Sequence, residues 1–338
     1  MKNETLHLCI AADQNYILPL GTIINCVIRH CTSDKWVIHV LETNIPTKVQ
    51  NKLKKLCHGT NISLEFINMA EYKFDFQGLD MQHWTKAIFY RLMIPEIFQN
   101  LERIIYLDCD TLILKDLHDL YNIELPDDKY VAMVSDKYSF LHRREYLKLT
   151  AYYNSGMIVF DIARCRKFDF RKKCIQWIHD FPQYAKYPDQ DAINIILQGH
   201  ILRLNSTYNW QIVVHQGYLL KQLKPTIHVL HFLTKNKAWH ARTDWDQGTL
   251  YEQYIPYTSH RLKVWLIHRL YWIWHFIYST DSTVELHKGT AHKFKRFKFC
   301  KIPVYTKRVP IDQTEVLDYL KSLKDKMDNA KKTAHSNS

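Results

Sequence analysis

The chain has 338 residues, 46% of them apolar and 24% charged, a composition that supports a large buried core and excludes collagen-like and disordered classes. Its 46 Lys and Arg against 34 Asp and Glu leave a net charge of +12, which calls for an anionic partner: a nucleic acid, an acidic membrane surface or a phosphorylated substrate. The N-terminal MKNETLHLCIAAD lacks a signal peptide's apolar stretch, and no run of 18 apolar residues occurs, so a cytoplasmic protein without a spanning helix is expected.

In chain order, Leu6 to Ala12 reads as a buried first strand, and Leu18 to Arg29 has helical spacing. Trp36 to Leu41 is a second strand, Thr47 to Cys57 a helix with a Lys-rich face, and Ile62 to Ile67 a third strand. Thr85 to Phe98 is helical, with Pro95 as a kink or break. Arg103 to Leu107, Tyr130 to Val134 and Gly156 to Asp161 complete the strands. Strands alternating with helices predict an α/β sheet covered on both faces. Near residue 260 the character changes: RLKVWLIHRLYWIWHFIYS (261–279) precedes the basic HKFKRFKFCK (292–301). A boundary is expected near residue 255, followed by a basic aromatic region over 256–330 and a flexible polar tail over 331–338. Trp and Tyr favour the membrane interface and Lys and Arg favour anionic headgroups, so the region suits an anionic membrane surface, with a core helix as the alternative. No nucleic-acid-binding motif accompanies it, so no nucleic acid is expected as a partner.

Eight cysteines include no C-x-x-C pair, so a zinc ribbon is not signalled, and their apolar settings read as buried free thiols. Eight glycines form neither G-x-G-x-x-G nor G-K-[ST]; a bound diphosphate must therefore be held by a metal and basic side chains.

Four clusters carry chemistry. Asp108-Cys109-Asp110 follows the strand RIIYL, and alternate residues of an extended segment share one side, where two carboxylates can hold a divalent cation. Two carboxylates solvating a strand end are the alternative. Tyr153 to Asp161 (YNSGMIVFD) puts amide, hydroxyl and glycine at a strand entrance, where a ligand can approach. Tyr187-Pro188-Asp189-Gln190-Asp191 starts a helix with acidic groups, as a cap or facing a sugar. His231 and Lys237, in HFLTKNKAWH, suit a third metal ligand and a phosphate contact; His228 would point to the opposite face of a strand.

Together with Ala11 to Tyr16 (AADQNY) and Trp84 to Leu92 (WTKAIFYRL), these clusters resemble, in order and spacing over about residues 5 to 245, the retaining family 8 glycosyltransferases of the bacterial lipopolysaccharide-core type, relatives of glycogenin and galactinol synthase. The resemblance implies an α/β fold: a single Rossmann-like nucleotide-sugar-binding domain of the glycosyltransferase A type over 1–255, with a C-terminal helical, basic-aromatic membrane-association region. It implies transfer of glucose or galactose from a UDP-sugar donor to lipopolysaccharide core or another glycolipid acceptor. The place would be cytoplasmic, peripheral on the inner face of the bacterial inner membrane. By the same resemblance Ala11, Asp13, Asn15 and Tyr16 would hold the uridine and ribose, and Arg91 the donor sugar or diphosphate. Asp108, Asp110 and His231 would ligate Mn²⁺ or Mg²⁺. Asn154 and Ser155 would meet the donor sugar, Asp189 and Gln190 the anomeric centre with Asp191 as alternative, and Lys237 the diphosphate. Thr234 and Ala238 depart from the family's usual glycine and proline, which puts the phosphate loop's geometry in question. A metal-dependent phosphoesterase and an inactive UDP-binding scaffold are the competing readings.

Overall fold

The computed structural model describes residues 5–72, 86–213, 220, 225–233, 237–240, 243, 245–256, 258–287, 290–299 and 302–309; Thr234 and the tail over 331–338 lie outside them. The chain divides into two compact units, Met1–Trp265 and Leu266–Ser338.

The first unit contains strands β1 (Thr5–Asp13), β2 (Lys35–Thr43), β3 (Ile62–Asn68), β4 (Arg103–Asp108) and β5 (Thr111–Ile113). It continues with β6 (Val131–Ser135), β7 (Tyr153–Asp161), β8 (Ile201–Arg203), β9 (Trp210–Ile212) and β10 (Val229–Phe232). Its helices are α1 (Ile17–His30), α2 (Thr47–Leu56), α3 (Ile94–Ile97), α4 (His118–Tyr121), α5 (Phe140–Tyr146), α6 (Ile162–Lys167), α7 (Phe170–Asp180), α8 (Pro188–Ile196) and α9 (Trp245–Glu252). Seven strands form one sheet in the order β3-β2-β1-β4-β7-β6-β8. The pairs β2–β3, β1–β2, β1–β4 and β6–β8 are parallel; β4–β7 and β6–β7 are antiparallel.

Strand β1 shows why the apolar runs are continuous rather than alternating. Leu6, Leu8 and Ile10 join one core with Leu20, Ile23 and Val27 of α1, while Cys9 and Ala11 join a second core with Leu92, Phe98 and Phe170. A strand covered on both faces must be apolar at every position. The sheet order reverses at β1, which leads through α1 to β2 on one side and pairs with β4 on the other. Such a reversal opens a crevice at the strands' carboxyl ends.

The segment expected as one helix over 85–98 differs. Lys86–Met93 is a 3-10 helix, and α3 begins after it with Pro95 in its first turn. Pro95 has no N–H to donate and would clash with the carbonyl four residues back, so an α-helical ladder cannot run through it. The seven described cysteines are all buried and free.

The second unit begins at Leu266, within helix α10 (Thr258–Ile277). The described residues past Ile277 are strands: β11 (Tyr278–His287), β12 (Thr290–Phe299) and β13 (Ile302–Val309) form an antiparallel sheet in that order. The basic stretch expected beside the helix thus lies largely on β12. Its alternation of Lys with Phe, between strands rich in Thr, Val and Tyr, suits a pleated surface better than a helix. Among the described residues no helix is long and apolar enough to cross a membrane.

In the first unit, His7 on β1 and His39 on β2 stack at 5.3 Å, their facing ring nitrogens 3.0 Å apart. One ring can donate to the other only while at least one is neutral. Burial, and after it the charge of His7, lowers His39 to about 4. Unfolded, the ring titrates near 6.5, so between these values the unfolded chain binds more protons and stability falls as the pH drops. The fall should approach 2–3 kcal/mol between pH 6.5 and 4, on the order the shift implies. Denaturant melts across that range should show it, and His39→Gln should flatten the dependence.

Candidate active site

The crevice at the β1–β4 reversal is a cavity of about 760 Å³. Ala11 and Asp13 enter it from the end of β1, and Asp108 from the end of β4; Ala11 and Asp108 are register partners. Asp110 does not continue the strand. Cys109 and Asp110 form a turn, tied by the Thr111 hydroxyl donating to the Asp108 carbonyl at 2.8 Å, before the chain enters β5. The two carboxylates therefore converge through a turn, not through the strand alternation expected from the sequence.

The third group arrives from 120 residues on. Strand β10 lies antiparallel to β5, with His231 opposite Thr111. This places His231 Nε2 3.2 Å from Asp110 Oδ1 and 3.9 Å from Asp108 Oδ2. His228 lies elsewhere, its ring 4.6 Å from that of Tyr208.

The second ring nitrogen sets the first. His231 Nδ1 is 3.0 Å from Asn209 Oδ1. The Asn209 amide is oriented in turn, because its Nδ2 donates to Asn154 Oδ1 at 2.8 Å, an oxygen that also accepts from the Gly156 N–H. Asn209 thus presents only an acceptor to His231, the proton sits on Nδ1, and the Nε2 lone pair faces two carboxylates. Asp110 Oδ1 is buried without a hydrogen-bond donor. A lone pair among carboxylate oxygens is repulsive unless a cation joins them, and one imidazole with two carboxylates suits a divalent ion. The three residues each offer a ligand atom within 4.8 Å of the others, so the donor set fits a metal.

Cationic side chains complete the charge balance. Burial works against the charged form of Asp110, but the Lys237 ammonium overcomes it and holds the carboxyl well below the usual range. Lys237 Nζ reaches Asp110 Oδ2 at 2.5 Å and donates to the Phe232 carbonyl. Arg91 is buried and fully engaged: it pairs with Asp108 at 2.8 Å and Asp189 at 3.2 Å, and donates to the Ser155 hydroxyl and carbonyl. Asp189 and Gln190 enter from the first turn of α8. Gln190 Oε1 accepts from the Ser155 N–H at 2.9 Å, and its Nε2 donates to Asp136 and Tyr152. Burial pushes the Asp189 carboxyl up, against the pull of Arg91.

Of the residues singled out from sequence, Ala11, Asp13, Tyr16, Arg91, Asp108 and Asp110 line the cavity, as do Asn154, Ser155, Asp189, Gln190, His231 and Lys237. Asn15 and Asp191 are not brought to it. Asn15 is exposed, and its N–H donates to Asp13 Oδ1. Asp191 points away: its oxygens accept from Arg143, the Tyr152 hydroxyl and the Tyr187 N–H, all within 3.1 Å. Sequence reading missed Asp136, Tyr106 and Asn209. Asp136 follows the strand VAMVS, the same carboxyl-end signal that marked Asp108. Tyr106, whose hydroxyl donates to Asp108 Oδ1 at 2.7 Å, was hidden inside a core strand.

Gly156 has no room for a side chain: a Cβ there would lie 2.3 Å from His231 Cε1 and 2.8 Å from Asp108 Oδ2. The glycine leaves room for His231 and Asp108 to come together. Gly156→Ala should displace His231 and weaken Mn²⁺ binding, read by electron paramagnetic resonance, about tenfold or more; Asn209→Ala should cost about 10–100-fold by freeing the ring. Unchanged affinity in both would contradict this account.

Residues 7–243 match the profile described as Glycosyl transferase family 8. General stress protein A of Bacillus subtilis is 26% identical over 280 residues, covering 76% of this chain and 96% of that protein. The lipopolysaccharide glucosyltransferase WaaO of Escherichia coli is 24% identical, covering 72% of this chain and 76% of its own. Among solved structures, the galactosyltransferase LgtC, in complex with donor and acceptor sugar analogs, aligns with a TM-score of 0.61 at 20% identity, over 74% of this chain and 95% of that one. The bifunctional WbbM aligns at 0.65, and this chain spans about half its length, 52%. The large, mainly parallel sheet is that of the glycosyltransferase A fold. With the profile reaching from β1 past β8 and covering Asp108, Asp110 and His231, this chain belongs to glycosyl transferase family 8.

Proposed function

We propose that the protein transfers a hexosyl unit, glucose or galactose, with retention of configuration from a UDP-sugar to lipopolysaccharide core or a related glycolipid. The observation that carries this reading is the convergence of Asp108, Asp110 and His231 in one cavity with Asp13, Tyr16 and Gln190. In this reading Ala11, Asp13 and Tyr16 hold the nucleoside, with Asn15 fixing Asp13 through its N–H. Asp108, Asp110 and His231 hold Mn²⁺ or Mg²⁺, which when bound neutralises charge on the departing diphosphate. Lys237 adds a point charge to the same subsite. Arg91 holds Asp108 and Asp189 in place, since its nitrogens are already engaged. Asn154 and Ser155 meet the donor sugar, and Asp189 and Gln190 line the anomeric side.

Attack from the face the diphosphate leaves is supported over a covalent intermediate on Asp191, whose oxygens accept four hydrogen bonds away from the cavity. The leaving diphosphate then takes the acceptor's proton. UDP release from a panel of UDP-sugars should need Mn²⁺ or Mg²⁺, stop with EDTA, and fall about 100-fold or more in Asp110→Asn. Silence with every donor, or hydrolysis of simple phosphate esters instead, would overturn the reading.

A place at the inner face of the bacterial membrane is supported by α10. Leu262, Trp265, Leu266, Leu270, Ile273 and Trp274 are exposed on that helix, interspersed with Arg261, Lys263 and Arg269. Exposed apolar and cationic side chains together suit an anionic bilayer surface. Leu270→Asp with Trp274→Asp should abolish co-sedimentation with phosphatidylglycerol vesicles; unchanged sedimentation would remove the membrane from the proposal.

A further inference from the structure

Outside the cavity, four aromatic rings form a continuous strip on the surface of the first unit. Trp177 and Phe181 are 6.1 Å apart between centroids, Phe181 and Tyr184 6.4 Å, and Tyr184 and Tyr146 5.7 Å. Phe181, Tyr184 and Tyr146 are 43%, 40% and 54% exposed, although rings of this size normally seek burial. Nothing in the catalytic cavity uses them.

The strip is continuous with that cavity. Helix α5 ends at Tyr146 and starts just after Ser139, which lines the cavity wall. Tyr184 is three residues before Tyr187, which also lines it. Arg143 couples the two ends: it donates to the Tyr184 carbonyl at 2.6 Å, pairs with Asp191 beside Gln190, and stacks on the Tyr146 ring at 5.2 Å. The strip is therefore anchored to the turn that presents Asp189 and Gln190.

The far end opens into a second cavity of about 380 Å³. Trp177 and Phe181 form its apolar side, and Gln176, Asp180, Lys172 and Asp169 its polar rim. Aromatic faces ringed by carboxylate, amide and ammonium groups match the surface of a sugar ring, whose C–H face is apolar and whose edge carries hydroxyls. A lipid chain would have no use for that rim, and a polyanion would gain no net attraction from a rim where Asp169 and Asp180 offset Lys172 and Lys173.

We propose that this strip is a binding platform for a saccharide chain, the part of the acceptor beyond the sugar that reacts, laid from the cavity mouth across Tyr146, Tyr184 and Phe181 to Trp177. The proposal rests on the glycosyltransferase reading above and deepens it. Tyr and Trp suit this task because they offer a broad amphipathic face at low conformational cost.

The test separates the two. The full-length protein is applied to a printed glycan array as wild type, Tyr184→Phe and the Phe181→Ala/Tyr184→Ala double variant, and UDP release into water is measured on the same preparations. Wild type and Tyr184→Phe should retain saccharide chains, and the double variant should bind them about tenfold more weakly or worse, with its melting temperature and UDP release unchanged. Equal array binding by wild type and double variant would overturn the platform, as would a wild type that releases UDP but binds no arrayed saccharide. A double variant that loses phosphatidylglycerol vesicles instead would assign the rings to a lipid surface and also overturn it. Loss of UDP release from wild type alone would count against the catalytic reading, while the array still judges the platform.

Discussion

The site is organised around one electrostatic difficulty: Asp108, Asp110 and Asp189 are gathered in one cavity, with Asp189 almost wholly buried. Carboxylates out of water repel one another and lose hydration, so each needs a cation or a donor held in place. Arg91 answers for Asp108 and Asp189 together, and Lys237 for Asp110. What remains uncompensated is the gap between Asp110 Oδ1, Asp108 Oδ2 and the His231 lone pair. That gap is the donor set proposed above for a divalent cation.

The fold supplies these groups from distant parts of the chain by two devices. The parallel strands β1 and β4 end together at the reversal of sheet order, which brings Asp13 and Asp108 to one edge. The small sheet β5-β10-β9 then folds over that edge and carries His231, with Asn209 directly before β9. Gly156 lets the two layers close, since any side chain there would occupy the space of His231. Strands thus fix Asp108 and His231, and the short turn tied by Thr111 fixes Asp110 between them.

The supporting shell is as connected as the ligands. One chain of hydrogen bonds runs from the Gly156 N–H through Asn154 and Asn209 to His231, and another from Arg91 through Ser155 to Gln190. Asn154 belongs to both, since its Nδ2 also reaches Gln190 Oε1. The side of the cavity around Asp108, Asp110 and His231 and the side around Ser155 and Gln190 are therefore mechanically one unit. A substitution in either will be felt in the other, because buried polar networks lose more than a pairwise sum when broken.

Much of this was legible in the sequence, for identifiable reasons. Strands buried on both faces leave continuous apolar runs, and those runs located β1, β2, β4 and β7 to within a few residues. Carboxylates directly after such a run stand at a sheet's carboxyl edge, which is why Asp108 and Asp110 were readable, and His231 within HVLHF was readable only through the family's order of motifs. Strands of three residues such as β5 and β9 carry no periodicity, so the small sheet that delivers His231 was invisible. The turn at Cys109, the 3-10 form of Lys86–Met93 and the antiparallel sheet beyond Ile277 were likewise settled by packing and by Pro95, not by local spacing. The sequence by itself determined which side chains were present, the α/β layering and the family; only the tertiary structure decided that Asn209 fixes the His231 tautomer, that Arg91 binds carboxylates and that Asp191 faces away. Those facts depend on partners far apart in the chain, and no local pattern of residues encodes a contact across that distance.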